Sequence, residues 1–369
     1  MNIGILKETT EFETRLAISP EIVKKLVSLN HTVTIEPGAG PDNDFKDAGA
    51  VIDSDFSKID IYFKVNAPNE NELEKMNEGS SLITFFQIKD EINNISKYTD
   101  KKLTLFSMSH VPRTTLAQNM DALSSQSNIA GYKSVIIGAD HISKYMPLLM
   151  TAAGTIQPAK VLILGAGVAG LAAIATAKRL GAQVFAFDVR PVVKEQVESL
   201  GAKFVEVKSD TEEGVGEGGY AKEVSEDYKR KQSELIKETI AKMDLVITTA
   251  LIPERPAPKL IDKQMVESMK AGSAIMDLAA LNGGNCELTI CDEITNHNGV
   301  IIDGRSNLPS TMPEHASQLY AKNVFNLFSY IFKEENIDFE DEIVNGSMLL
   351  NKGQINNSTL QQFVEGENK

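Results

Sequence analysis

The sequence predicts an α/β protein of two domains with mostly parallel sheets, separated by a cleft and linked by long helices. Three observations predict it. The chain has 369 residues, more than one hydrophobic core usually organises. Short apolar runs alternate with helical patterns through most of its length. A glycine-rich turn near residue 165 sits between an apolar run and a helical pattern.

In the first half, IGIL (3 to 6), HTVTIE (31 to 36), IDIYFKV (59 to 65), SLITFF (81 to 86) and LTLFSM (103 to 108) read as strands of a parallel sheet. Between the first two lies SPEIVKKLVSLN, where Ser19 suits a helix cap and Pro20 the first turn. Ile22, Val23, Leu26 and Leu29 there fall on one face. Residues from about 115 to 145 read as a long connecting helix. The second half supplies strands near VLILG (161 to 165), QVFAFD (183 to 188), KFVEV (203 to 207), LVITTA (245 to 250), SAIMDLA (273 to 279) and GVIID (299 to 303). Another helix opens at Pro313 and Glu314, with Leu319, Tyr320, Val324, Leu327, Phe328 and Ile331 at helical spacing. This helix is expected to return to the first domain and make it discontinuous. The expected domains are 1–128 with 305–369, and 129–304. The tail after Gly353 is polar and is expected to fray.

Composition narrows the function classes. Hydrophobic residues make up 42% and charged residues 24%, ordinary for a soluble globular chain. The formal net charge of -14 argues against a general nucleic-acid surface, which needs clustered lysine and arginine. Cys286 and Cys291 match neither a disulfide framework nor a CxxC motif, which fits a reducing cytoplasm. No signal peptide is read at the start. The most membrane-like stretch, residues 161 to 177, is too short to span and is broken by three glycines, so direct membrane insertion is not expected. No metal site is expected.

GAGVAG (165 to 170) carries the strongest signal. It follows the apolar VLIL, opens a helix, and precedes a strand that ends at Asp188, the spacing of a dinucleotide-binding, Rossmann-like unit. Gly165 permits the tight turn, Gly167 clears space for a pyrophosphate, and Gly170 lets helix and strand approach. Free amides at the helix start let an acidic protein bind an anionic cofactor. Asp188 suits the ribose hydroxyls and disfavours a 2'-phosphate, which selects NAD(H) over NADP(H). Arg190 suits either a phosphate or a local carboxylate.

The stretch PRTTLAQNMDALSSQSN (112 to 128) is rich in amides and hydroxyls but has no histidine, cysteine or lysine. If it is helical from about 115, Gln118, Asp121, Ser124, Ser125 and Asn128 share one face, while Leu116, Met120 and Leu123 pack on another; Arg113 stands just before it. Such a surface suits a nicotinamide carboxamide, and direct hydride transfer to a second nicotinamide requires no acid, base or nucleophile. The same spacing also describes a solvated helix face with ordinary caps.

VPRTTLAQNMDALSSQSNIAGY, the run MTAAGTIQPAKVLILGAGVAG through ESLGAKF, GGYAKE and ITTALIP resemble the NAD(H)-binding subunits of proton-translocating NAD(P) transhydrogenases. The resemblance implies two Rossmann-like domains and a catalytic, homodimeric subunit. It would bind NAD(H) and pass hydride to NADP(H) on a partner subunit, with membrane-embedded subunits moving protons. That implies a cytoplasmic chain, peripheral to the inner membrane through its partners. By the same resemblance Arg113, Gln118, Asp121 and Ser124 position the nicotinamide, with Gln118 nearest the partner nucleotide. Gly165, Gly167, Val168, Gly170, Asp188, Val189, Arg190, Ala250 and Asn307 bind the rest of the cofactor. Tyr220, in the glycine-bounded EGVGEGGYAKE, matches a loop that closes over it; a plain surface loop is the alternative.

Leu281 and Asn282 before GGN, Arg305 and Ser306 in GRSNLPS, and FFQIKDE depart from the family pattern. The start KETTEFETRLAISP is shared with alanine dehydrogenases, the alternative reading. Arg15 and Lys64 look like the substrate anchors of those enzymes, or else support the domain through ion pairs. The histidine those enzymes place after the strand equivalent to SLITFF is absent, and His110 reads as a structural or loop histidine. A non-catalytic NAD sensor is the third reading.

Overall fold

Strand alternation places the two faces of each sheet in two different apolar clusters, and this sets the architecture seen in the computed structural model. The structure describes residues 1–207, 225–252, 255–333 and 337–366. The chain divides into two compact units, Met1–Gln126 with Pro309–Lys369, and Ser127–Leu308.

In the first unit the strands are β1 (Asn2–Ile5), β2 (Thr32–Ile35), β3 (Val51–Ile52), β4 (Ile61–Phe63), β5 (Ser81–Thr84) and β6 (Thr104–Ser107). They pair in parallel, in the order β6-β5-β4-β1-β2-β3. Ile61, Phe63, Ile83 and Phe106 point into one cluster, and Tyr62, Leu82 and Leu105 into the other. The helix Pro20–Ser28 starts as the sequence predicts: Ser19 Oγ accepts from the Ile22 amide and Ile22, Val23 and Leu26 are buried. Leu29, at its C-terminal cap, is exposed instead.

The second unit contains a small hairpin of β7 (Leu149–Thr151) and β8 (Gly154–Ile156). Its main sheet is built from β9 (Lys160–Leu164), β10 (Gln183–Phe187), β11 (Lys203–Phe204), β12 (Leu245–Thr248), β13 (Ala274–Asp277), β14 (Ile294–His297) and β15 (Val300–Asp303). The order is β11-β10-β9-β12-β13-β15-β14, parallel except for β14. Strand order reverses between β9 and β12, the switch point beside which open α/β sheets bind ligands. The sequence pattern does not predict the hairpin or β14; both are short and largely exposed, so they carry little apolar signal.

The chain then returns to the first unit. The helix Pro313–Ile331 buries Tyr320, Val324, Leu327, Phe328 and Ile331 in that unit's core, whereas Leu319 faces outward. The polar tail after Gly353, expected to fray, is ordered through Gly366: β17 (Gln354–Ile355) pairs with β16 (Met348–Asn351), which itself pairs antiparallel with β6, and the helix Ser358–Glu365 buries Leu360. One deeply placed leucine and an Asn357 cap suffice where the surrounding sequence is polar.

The expected helix from residue 115 begins later. A 3-10 turn covers Gln118–Met120, and the long helix runs Ala122–His141. Asp121 stops it from starting earlier. Its carboxylate accepts from the Ser124 amide at 2.8 Å and from Ser124 Oγ at 2.6 Å, which is the geometry of a helix cap. Leu116 is consequently exposed and does not share a packed face with Met120.

Candidate nucleotide site

The turn after β9 is dictated by its three glycines, each for a different reason. Gly165 has φ +104°, and a Cβ there would lie 2.5 Å from Thr249 Oγ1. Thr249 uses that hydroxyl to donate to the Gly165 carbonyl at 3.1 Å, tying the turn to the end of β12. A Cβ on Gly170 would stand 1.9 Å from the Gly165 carbonyl oxygen, so the helix Val168–Arg179 packs at a distance only glycine allows. A Cβ on Gly167 would meet nothing within 4 Å. Gly167 is also the N-cap residue of that helix, with no side-chain cap, and Val168 beside it is exposed. The turn thus offers open space against a helix start whose first amides no side chain satisfies, a fit for phosphate oxygens.

Gly131 adds a contact that the sequence reading misses. A Cβ there would lie 2.0 Å from the Ala169 carbonyl, so the Ala122–His141 helix abuts the start of the turn helix. A glycine inside a helical pattern is the available signal.

Asp188, just past β10, is buried. Its Oδ2 accepts from the Ala166 amide at 2.7 Å, fixing the carboxylate against the glycine turn. Arg190 grips the same carboxylate from Nε at 2.9 Å and Nη2 at 2.8 Å, and its amide adds a third bond at 2.8 Å. Of the two roles open to Arg190, the structure displays the carboxylate partner, and that hydrogen bonding raises the guanidinium pKa further. To accept from ribose hydroxyls, Asp188 has to share or exchange these bonds. Val189 is half-buried beside the pair.

Ala250 is held by Asn285, a wholly buried side chain. Asn285 Oδ1 accepts from the Ala250 amide at 3.1 Å, and its Nδ2 donates to the carbonyls of Ala250 and Pro258. Asp277 organises the neighbouring strand end by accepting from Thr248 and Thr289 hydroxyls and from the Ala279 and Cys286 amides. The sequence reading assigns a function to neither, although GGN and a strand-terminal aspartate are visible in it. The departures at 305 and 306 have local partners: Arg305 pairs with Asp303, which also receives His141, and Ser306 bonds Asp292. Although burial opposes it, these partners hold the Asp303 carboxyl below its usual range. Leu281 is exposed; Asn282 and Asn307 are half-buried. Tyr220 lies outside the described residues.

In the first unit, Arg113 and Gln118 are exposed, and Asp121 and Ser124 are half-buried and bonded to each other. Ser125, expected on the same presented face, instead donates to Asn323 at 2.8 Å and serves packing. His110 lies against Ser107, whose hydroxyl already donates to the Phe86 carbonyl, so Nδ1 of the imidazole is assigned as the donor. Burial pushes the His110 pKa down to about 4, leaving it neutral at pH 7.

Arg15 and Lys64 are both consumed by carboxylates. Arg15 forms a two-point pair with Glu13 and donates to Gln126 at 3.1 Å. Despite its burial, Glu13 is held down to about 2 by Arg15 and Ser310, so the pair's contribution to stability is lost only as pH falls toward that value. Lys64, with no exposed side chain, lies 3.1 Å from Glu8 and 3.2 Å from Glu72.

A parallel sheet that reverses order beside a glycine turn with open space, and ends its next strand in an acid, defines a dinucleotide-binding α/β protein. Comparison with known proteins specifies it further. Residues 4–130 match the alanine dehydrogenase/PNT N-terminal domain and residues 134–358 the C-terminal domain of the same family. The chain belongs to the alanine dehydrogenase/PNT family. It is 45% identical over 366 residues to NAD(P) transhydrogenase subunit alpha of Haemophilus influenzae, covering 96% of this chain and 71% of that protein. It is 44% identical over 374 residues to an NAD(P) transhydrogenase subunit alpha chain of Rhodospirillum rubrum, covering 96% of this chain and 97% of that one. The crystal structure of transhydrogenase from Sinorhizobium meliloti superposes with a TM-score of 0.88 at 42% identity, covering 96% of this chain and 100% of that one.

Proposed function

We propose that the chain is the NAD(H)-binding catalytic subunit of an NAD(P) transhydrogenase. It holds NADH while hydride passes directly to NADP+ on a partner subunit, and membrane-embedded subunits couple the transfer to proton movement. The observation that carries this reading is the open glycine turn in a chain so extensively similar to transhydrogenase alpha subunits. Gly165, Gly167, Val168 and Gly170 receive the pyrophosphate. Asp188 takes the adenosine ribose, with Val189, Arg190, Ala250 and Asn307 around the same cofactor. Arg113, Gln118, Asp121 and Ser124 orient the nicotinamide, whose ring supplies the hydride.

The polar segment fits this chemistry because orientation is the whole requirement. Asp121 fixes Ser124 through its cap, so a rigid pair of acceptor and hydroxyl is available for a carboxamide. The alanine dehydrogenase alternative needs a cation for an amino-acid carboxylate and a proton carrier. Here Arg15 and Lys64 are each tied to carboxylates of their own unit, and His110 is neutral and turned to Ser107.

No helix among the described residues is long and apolar enough to cross a membrane. The hairpin of β7 and β8 exposes Met150 and Ile156 with Leu148 beside it, a surface suited to a second copy in a homodimer.

Mixing the chain with an NADP-binding partner, NADH and NADP+ tests the reading. Turnover is expected only in the complete mixture. Turnover with alanine and NAD+ alone overturns it in favour of the dehydrogenase, and nucleotide binding without turnover in favour of a sensor. In the same assay, Asp121→Asn is expected to keep the helix cap, since asparagine caps about as well as aspartate. Its rate is nevertheless expected to fall at least about tenfold. Unchanged binding and rate remove the 113–124 segment from the nicotinamide.

A further inference from the structure

Acidic residues outnumber lysines and arginines in this chain, 51 to 37. A cavity of about 310 Å³ in the second unit nevertheless gathers Lys144, Lys160, Lys242 and Lys270 around a single carboxylate, Asp244. Asp244 is already committed. It accepts from Lys144 Nζ at 2.9 Å and from the Lys160 backbone amide at 2.8 Å. Among the described residues, the ammonium groups of Lys160, Lys242 and Lys270 make no hydrogen bond or ion pair. Four cations against one anion leave a local excess of positive charge in a concave site, which concentrates anions from solution.

Topology explains why these residues meet. Lys160 opens β9, Asp244 immediately precedes β12, and Lys270 lies on the turn that leads into β13. Gln183 opens β10 and lines the same cavity, with Gln157 nearby. All of these stand at the N-terminal ends of parallel strands. GAGVAG stands at the opposite end of β9, about 17 Å away at the rise of a parallel strand. The cavity is therefore separate from the nucleotide turn.

We propose that this cavity is a second anion site, selective for a compact oxyanion of two or more negative charges, such as a condensed phosphate. Size and lining set the class. The volume is at the lower end of small-molecule pockets, and among the described residues no aromatic side chain lines it, so a nucleoside base has nothing to stack on. The lysines supply several separate charge-assisted donors, and the two glutamine amides supply neutral ones. Asp244 holds Lys144 in place, and an anion of two or more charges gains by bridging several lysines, which a monovalent competitor cannot do.

Titration calorimetry of pyrophosphate into the full chain at low ionic strength, where exposed charges are least screened, tests the assignment. One site per chain is expected, with binding unchanged by saturating NADH. Lys160→Gln/Lys270→Gln is expected to weaken it at least about tenfold while melting temperature and NADH binding stay unaltered. Chloride at matched ionic strength is expected to compete poorly. Absence of pyrophosphate binding, equal binding by the variant, displacement by NADH, or equal competition by chloride each overturns the proposal. Displacement by NADH would place the anion at the glycine turn and leave the cofactor reading intact.

Discussion

Gly167→Val is expected to weaken NADH binding at least about a hundredfold while the thermal midpoint moves by no more than roughly 2 °C, the response of a site free of packing constraints. The stability half follows from geometry. Gly167 has φ −75°, a conformation any residue adopts, and its missing Cβ faces no atom within 4 Å. The binding half follows from the pyrophosphate needing that same space. Gly170→Ala is the internal contrast. Its Cβ would lie 1.9 Å from the Gly165 carbonyl, and displacing backbone by that much is expected to cost on the order of 3 kcal/mol. Fluorescence titration with NADH and thermal melts of both variants separate ligand space from packing. Normal NADH affinity in Gly167→Val removes the turn from the cofactor site.

Lys64→Met is expected to destabilise the protein by about 3–5 kcal/mol at neutral pH, the usual consequence of stripping one partner from a buried ionic group. Lys64 is wholly buried between Glu8 and Glu72, and among the described residues no other cation pairs with either carboxylate. Burial already pushes the Glu8 pKa up, with Lys64 and the amides of Val65 and Asn66 opposing it. Without the lysine that rise is larger. A folded-state pKa above the unfolded one favours the fold below the unfolded pKa and disfavours it as pH rises through the folded value. The loss in Lys64→Met is therefore expected to be greatest at neutral pH and to shrink toward pH 4, and adding Glu8→Gln is expected to recover part of it. Urea melts across that range measure both. A uniform loss at all pH values would point to packing alone.

The strongly patterned regions of the fold are legible in the sequence. Strands such as VLIL and IYF are continuous apolar runs, and both sheets use them where the pattern predicts. The glycine turn is legible at Gly165 and Gly170, where a positive φ and a close approach demand glycine, while Gly167 stands in open space with no packing reason of its own. What escapes a sequence reading is set by single side chains. Asp121 delays a helix whose apolar spacing begins earlier, because its carboxylate satisfies the Ser124 amide better than another helical turn would. The polar tail orders around Leu360 and one cap. Asn285 organises backbone at Ala250 and Pro258, far from it in sequence, a role that no local pattern encodes. The Asp188–Arg190 pair is visible as proximity, but only the structure displays both oxygens of Asp188 occupied.

If this chain supplies orientation alone, hydrogen passes between two nicotinamides without visiting a side chain or solvent. The decisive measurement follows deuterium from position 4 of NADH, in ordinary water, with the NADP-binding partner present. The label transferred from NADH is expected in NADPH, undiluted by solvent hydrogen. Label released to water, or label recovered in an amino acid when pyruvate and ammonia are supplied, would refute direct transfer between the two cofactors.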